Sequence, residues 1–208
     1  MLLASIIVRR FGSTGAHGKA YLAFTGFAAF WFAAETIWMF TELVGQTQFP
    51  ESEWFYLAGY PFLFASSIFY LYPMRKAISS KMLACAAAAT ASFLIITLYK
   101  MHSYNQDAGM LQIVWAGIYP TADAVVLYPA VLVMILFLKG RVSFFWSLAC
   151  IAIILNVIAD SGFLFLYVDE SYFSGHPLDI LYLWSYVLFS FGIYSHIRYF
   201  KKPEIRTR

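Results

Sequence analysis

Five of the acidic residues that lie within or at the edge of long apolar stretches of this 208-residue chain are candidates for chemistry. Glu35 and Asp160 lie well inside such stretches, whereas Glu53 and Asp179 lie near the first residue of one, as Asp123 does if its helix starts at Pro120. A carboxylate in apolar surroundings is costly unless it is paired, hydrogen-bonded or reached by water. Carboxyl groups that are kept there can bind a cation, relay a proton, or act as general acid and base.

Aromatic side chains accompany these acids at helical spacing. After both Glu53 and Asp179, a leucine follows the acid by four residues and a tyrosine by seven, which places them on one helical face. The candidates for the walls of a pocket are Trp38, Tyr60, Tyr128, Trp184 and Tyr186. Carboxylates beside aromatic faces suit a cationic or amine ligand. We therefore expect a ligand site that is built from these five aromatic residues and the five acids.

Each acid also has a structural interpretation. Glu35 and Asp160 could be neutral carboxyl groups that are hydrogen-bonded across helices. Glu53, Asp123 and Asp179 could satisfy free backbone N–H groups in the first turn of a helix and interact with the helix dipole. Both interpretations stay open at this point.

The acids belong to six apolar segments. The segments cover about 20–45, 53–73, 82–99, 112–138, 143–168 and 178–197. A bilayer crossing needs about 20 apolar residues. The chain is 62% hydrophobic and 12% charged, whereas a soluble domain has about 25% charged residues. The sequence predicts an all-α membrane protein with a bundle of six transmembrane helices.

The basic residues predict the orientation of this bundle. Of the 14 Lys and Arg residues, all but Lys100 lie on one side of the alternating segments. Basic residues collect on the cytoplasmic side. We expect a multi-pass cell-membrane protein with both termini in the cytoplasm. Residues 1–19 would form a cytoplasmic or interfacial segment whose first eight residues are a surface-lying or partly inserted tail. Residues 20–198 would form the membrane domain and 199–208 a basic tail, and a helix upstream of residue 1 stays an open alternative.

The pattern at the helix starts indicates three αα-hairpin repeats. Each second helix would open with a proline and then an acid, at Pro50, Pro120 and Pro177. Internal repeats of this kind are common in membrane transport folds. The fourth helix is ambiguous, because it could start near residue 112 with a kink at Pro120, or at Pro120 itself.

Several classes of site are not indicated. The histidines and Cys85 and Cys150 lack metal-ligand spacing, and no phosphate loop or catalytic triad is visible, so we expect no metal and no cofactor. The net charge of +3 follows from the membrane topology, so no nucleic-acid partner is expected.

Short motifs resemble a family of polytopic membrane sensor regions that precede diguanylate cyclase, phosphodiesterase or histidine kinase domains. Residues 53–61 resemble its D-x-F-Y-L-x-x-Y-P stretch with Glu53 in place of Asp, and residues 119–123 resemble its Y-P-x-x-D helix start. Residues 159–160 and 178–186 resemble its later A-D and L-D-x-x-x-x-x-x-Y elements. The resemblance covers about residues 30–190 and implies a free-standing sensor region.

We therefore expect a sensor-like or receptor-like module that binds a small cationic ligand in an outward-facing pocket and signals through a partner protein. The alternatives are a small transporter or channel, an accessory subunit of a membrane complex, or an intramembrane enzyme with Glu35 and Asp160 as acid and base. The expected partners are the lipid bilayer and a signalling protein, and a homo-oligomer is left open.

Overall fold

The computed structural model describes residues 1–45, 51–104, 110–138, 140, 144–168, 171–173 and 175–199. Seven α-helices fill most of these ranges: α1 (Leu2–Phe11), α2 (Gly15–Val44), α3 (Ser52–Leu71), α4 (Ser80–Tyr104), α5 (Met110–Leu138), α6 (Phe144–Val168) and α7 (Asp179–Tyr199). A 3₁₀ helix over Tyr72–Ala77 follows α3 directly. No strand occurs in these ranges.

Six helices of the described chain are long and apolar enough to cross a membrane. The spans are Gly15–Val44, Ser52–Ala77, Ser80–Ser103, Gly117–Leu138, Phe144–Leu166 and Asp179–Arg198. The predicted all-α bundle of six spans is therefore confirmed. Its orientation, with both termini in the cytoplasm, stays a prediction.

The N-terminal segment is mostly helical. Residues 2–11 form α1, and α2 begins at Gly15, earlier than the predicted first residue of the membrane domain. Ala4 and Ile7 are the buried residues of α1. The predicted basic tail 199–208, apart from Tyr199, lies outside the described residues.

The ambiguous fourth span starts before Pro120. Helix α5 runs from Met110 to Leu138 with Pro120 and Pro129 in its interior, so the alternative start at Pro120 is wrong. A proline inside a helix removes one backbone hydrogen bond, and neighbouring hydroxyls can satisfy nearby carbonyls. Here the hydroxyl of Thr121 donates to the carbonyl of Gly117 at 2.7 Å.

The start of α5 at Met110 also shows that the middle copy of the predicted hairpin repeat differs from the other two. Helices α3 and α7 do carry Glu53 and Asp179 in their first turns, as the repeat predicts. The middle copy differs, because Pro120 and Asp123 lie well inside α5. Pro50 lies outside the described residues. The repeated motif therefore marks a helix start in two copies and a helix interior in the third.

The chain divides into two compact units. Unit 1 comprises Met1–Pro73 and Phe191–Arg208, and unit 2 comprises Met74–Ser190. Helix α7 contributes its first part to unit 2 and its last turns to unit 1.

Unit 1 is built on the packing of α2 against α3. Aromatic side chains fill this interface, with Phe27 and Trp31 of α2 and Tyr60 of α3 all buried. A small residue lets the large rings approach the backbone, as is common between membrane helices. A Cβ atom at Gly59 would lie 2.6 Å from Cδ1 of Trp31, so only glycine fits there without rearrangement.

Unit 2 is built from α4 against α5 and α5 against α6. Its buried residues include Val126, Val133 and Leu136 of α5, and Phe145 and Ala149 of α6. A second set of buried residues in this unit is polar and includes Asp123, Asn156 and Ser185. Asp123 is the predicted acid of unit 2 that belongs to this set, whereas Asp160 and Asp179 are half-buried.

Candidate functional site

Asp160 is held by a partner on its own helix. The amide of Asn156, one helical turn earlier on α6, donates a hydrogen bond of 2.8 Å to Oδ2 of Asp160. The two residues share a helical face because they are four positions apart. Asn156 is buried and Asp160 is half-buried.

Helix α7 supplies the second partner. The hydroxyl of Tyr182 donates to Oδ1 of Asp160 at 2.8 Å. The hydroxyl of Ser185, one turn later, lies 3.4 Å from Oδ1 of Asn156 and 2.8 Å from the carbonyl oxygen of Tyr182. Asp160, Asn156, Tyr182 and Ser185 therefore form one polar network, the Asp160 network, which links α6 with α7.

Asp123 of α5 belongs to the same region of unit 2. Its side chain is 1% exposed. Asp123 and Tyr186 both interact electrostatically with the hydroxyl of Tyr182, as Asp160 does. Asp123 of α5 and Tyr186 of α7 therefore lie within electrostatic range of the hydroxyl that bonds Asp160 of α6. Of the predicted site residues, the structure joins Asp123, Asp160 and Tyr186.

The remaining two aromatic candidates of unit 2 are Tyr128 and Trp184. Tyr128 is half-buried on α5. Trp184 is 55% exposed on α7, next to the buried Ser185. An exposed Trp near a helix end is typical of an interfacial belt.

Asp179 organises a loop. Its Oδ1 accepts a hydrogen bond of 3.1 Å from the hydroxyl of Tyr172, and its Oδ2 accepts one of 3.0 Å from the backbone N–H of Gly175. The ring of Tyr172 also packs edge-on against Phe163 at 4.6 Å. Both carboxyl oxygens thus bind donors in the segment that leads into α7, which favours the structural interpretation of this acid.

The four predicted residues of unit 1 lie on α2 and α3. Glu35 and Trp38 are half-buried on α2, and Glu53 is half-buried in the first turn of α3. Tyr60 is buried, with its ring edge-on to Trp31 at 6.2 Å. This contact makes Tyr60 part of the α2–α3 interface. A pocket that draws on both units stays a prediction.

Metal binding has no candidate among the described residues, because no group of three or more His, Cys, Asp or Glu side chains could hold an ion there. The two cysteines, Cys85 and Cys150, are free thiols. The Asp160 network offers hydroxyl and amide donors, which are suited to holding a charged carboxylate.

Sequence reasoning missed Asn156, Tyr182 and Ser185. Asn156 and Asp160 stand four residues apart, and a polar pair at this spacing in an apolar helix is a detectable signal. Tyr182 lies near a helix end, where tyrosines are typical of an interfacial belt. Its contact with Asp160 spans 22 residues, so no local pattern distinguishes it from the other tyrosines.

No family model, no curated protein and no solved structure matches the chain. Fold and composition define a class nevertheless, since six apolar helices of spanning length are typical of multi-pass helical membrane proteins. The likeness to sensor regions stays a resemblance of short motifs.

Proposed function

We propose that this protein is a sensor-like membrane module whose unit 2 recognises a small cation. One observation carries the binding part of the proposal: Asp160 of α6 accepts a hydrogen bond from the hydroxyl of Tyr182 of α7, and the buried Asp123 of α5 lies within electrostatic range of the same hydroxyl. The sensor part rests on the motif resemblance described above.

Two carboxyl groups near one hydroxyl concentrate negative potential in a medium of low dielectric constant. A cation gains more from such a pair than from a single exposed acid, because the interaction scales inversely with the dielectric constant. The rings of Tyr182 and Tyr186 add electron-rich faces, which favour organic cations such as amines.

The two acids differ in how far they are buried. Asp123 is 1% exposed, whereas Asp160 is half-buried and therefore the accessible member. The donors Asn156 and Tyr182 each bond one oxygen of Asp160 and so hold its carboxyl group in place. A ligand would contact Asp160 directly, and the charge of the more deeply buried Asp123 would add to the attraction.

The test uses the full chain in phosphatidylcholine nanodiscs. Thermal unfolding is followed at constant ionic strength in sodium, potassium, choline or tetramethylammonium chloride. A cation that binds only the folded protein raises the midpoint temperature progressively with its concentration. We expect at least one of the organic cations to do so, and Asp160→Asn to abolish the rise.

Glu42→Gln provides the matched control, since Glu42 is an exposed carboxyl near the C-terminal end of α2. This variant should respond as the wild type does. Equal responses of Asp160→Asn and the wild type, or no response to any of the four cations, would contradict the proposal. Circular dichroism of each variant shows whether the helices are retained.

A transporter is the second candidate, favoured by one observation. Asp123 lies on α5 between Pro120 and Pro129, and apolar segments that contain prolines near a binding residue are typical of transport proteins. Uptake of labelled tetramethylammonium into proteoliposomes, lost in Asp123→Asn, would support transport. Binding without uptake would support the sensor-like module.

A further inference from the structure

The α1–α2 turn of unit 1 and the exposed side of α1 form one continuous surface. Helix α1 folds back along the first turns of α2, since the hydroxyl of Thr25 donates to the carbonyl of Ala4 at 2.9 Å. At the turn, a Cβ atom on Gly18 would lie 2.6 Å from the carbonyl carbon of Ser13. The two contacts, seven residues apart on α2, show that α1 runs antiparallel to α2.

This packing sets the depth of α1. Thr25 lies ten residues after the first residue of α2, which corresponds to about 15 Å of helix rise. The N-terminal end of α1 therefore lies level with the interior of a spanning helix, while its C-terminal end lies level with the start of that helix. Of the two predicted states of this segment, the partly inserted one fits this geometry.

The exposed side of α1 is apolar where it is deep. Ala4 and Ile7 are buried, whereas Leu2 is 74% exposed and Met1 and Ile6 are also exposed. Exposed apolar side chains at the depth of acyl chains match a lipid environment, as in helices that insert into one leaflet.

The end of α1 at the turn is basic. Arg9 and Arg10 occupy the last turn of α1, and the side chain of Lys19 is exposed in the first turns of α2. The Arg10 guanidinium carbon lies 5.8 Å from the ring of Phe11, and Nζ of Lys19 lies 6.0 Å from the ring of Phe69. Cations at these distances are held over aromatic faces.

Nothing in the nearby sequence neutralises this charge. The first acidic residue of the chain is Glu35, which is 16 positions after Lys19 and so about 24 Å further along α2. The last turn of α7 adds the exposed Arg198 to unit 1. The same unit joins α7 to α2 there, since the hydroxyl of Tyr21 and Nε2 of His196 are 2.8 Å apart.

We infer that this surface binds anionic phospholipids of the leaflet that it contacts: Met1, Leu2 and Ile6 meet the acyl chains, and Arg9, Arg10 and Lys19 meet the phosphate groups. Apolar burial and charge attraction combine in such helices, and the charge contribution depends on lipid composition. The inference does not depend on the cation site of unit 2.

The test measures which lipids remain bound to the full chain. The protein is purified in mixed micelles with equal amounts of phosphatidylglycerol and phosphatidylcholine, and native mass spectrometry counts the lipids retained. We expect the wild type to retain phosphatidylglycerol preferentially. Each basic residue near an anionic surface contributes about a fivefold preference, so the triple variant Arg9→Gln, Arg10→Gln, Lys19→Gln should lose at least about tenfold.

Two further variants separate the contributions. Lys100→Gln, at an exposed lysine of α4, is the matched charge control and should keep the wild-type preference. Ile6→Ser keeps every charge but weakens apolar contact, and should lower retention of both lipids. Unchanged selectivity in the triple variant, or equal retention of the two lipids by the wild type, would overturn the inference, provided that circular dichroism shows folded helices.

Discussion

The hydroxyl of Tyr182 on α7 donates a hydrogen bond of 2.8 Å to Oδ1 of Asp160 on α6. The bond ties together two helices that are both apolar over most of their length. It also holds Oδ1 of the Asp160 carboxyl group, and the amide of Asn156 donates to Oδ2 at 2.8 Å. One donor from its own helix and one from the next thus help to orient Asp160.

Removing the Tyr182 hydroxyl tests how much the Asp160 network contributes to stability. Tyr182→Phe keeps the ring and leaves the carboxyl group of Asp160 with one donor fewer. We expect the free energy of unfolding to fall by about 1–3 kcal/mol, the usual cost of losing a hydrogen bond to a buried or charged group. Unfolding in mixed micelles with increasing dodecyl sulfate measures the change.

Tyr194→Phe is the control for Tyr182→Phe, since Tyr194 is an exposed tyrosine on the same helix. This variant should unfold like the wild type. If Tyr182→Phe also unfolds like the wild type, the hydrogen bond to Asp160 contributes nothing measurable to stability, and the network is not the link between α6 and α7 that we describe.

Gly18→Ala tests the fold-back of α1. The added Cβ atom would lie 2.6 Å from the carbonyl carbon of Ser13 and 3.0 Å from the carbonyl oxygen of Gly12, so the backbone of the turn must shift. We expect α1 to detach from α2 and trypsin to cleave after Arg9 and Arg10 several times faster. Timed proteolysis of the protein in detergent, read by mass spectrometry, measures the rate.

Gly117→Ala is the matched comparison for Gly18→Ala, because a Cβ atom at Gly117 would meet only Cδ2 of Leu98 at 3.9 Å, an ordinary contact. Its cleavage after Arg9 and Arg10 should equal that of the wild type. Equal cleavage in Gly18→Ala would show that α1 does not depend on the close approach of the turn to α2.

Gly59→Ala tests the α2–α3 interface. The new methyl group would lie 2.6 Å from Cδ1 and 2.7 Å from Nε1 of Trp31, and the buried indole has little room to move. Overpacking of this kind costs about 1–3 kcal/mol. We expect a lower midpoint of thermal unfolding, partly restored by adding Trp31→Phe. A double variant no more stable than Gly59→Ala would refute the proposed clash.

The helices and their approximate ends were predictable because hydropathy is a local property. Each stretch such as 143–168 contains enough apolar residues to cross a bilayer, and the corresponding helix runs over Phe144–Val168. The start of α5 was less certain because Pro120 is favourable at a helix start and tolerated in a membrane helix interior. Only the structure distinguishes the two.

The candidate site was predictable in part. Asp123, Asp160 and Tyr186 were expected from the cost of placing acids in apolar segments and from helical spacing. The partners Tyr182 and Ser185 were not, because a tyrosine or serine in such a segment is also a normal interfacial or packing residue. For Asp179 the spacing suggested a ligand-facing acid, and its bonds to Tyr172 and Gly175 indicate a loop role.

By itself, the amino-acid sequence determined that this protein is a membrane bundle of six helices with acids in apolar surroundings, since length, hydropathy and charge act residue by residue. Only the tertiary structure decided that Asp123 and Asp160 act on one tyrosine, that Asp179 organises a loop, and that α1 lies against α2. The physical reason is that these are contacts between separate segments of the chain, and rotation of a helix about its axis changes which side chains meet without changing its hydropathy.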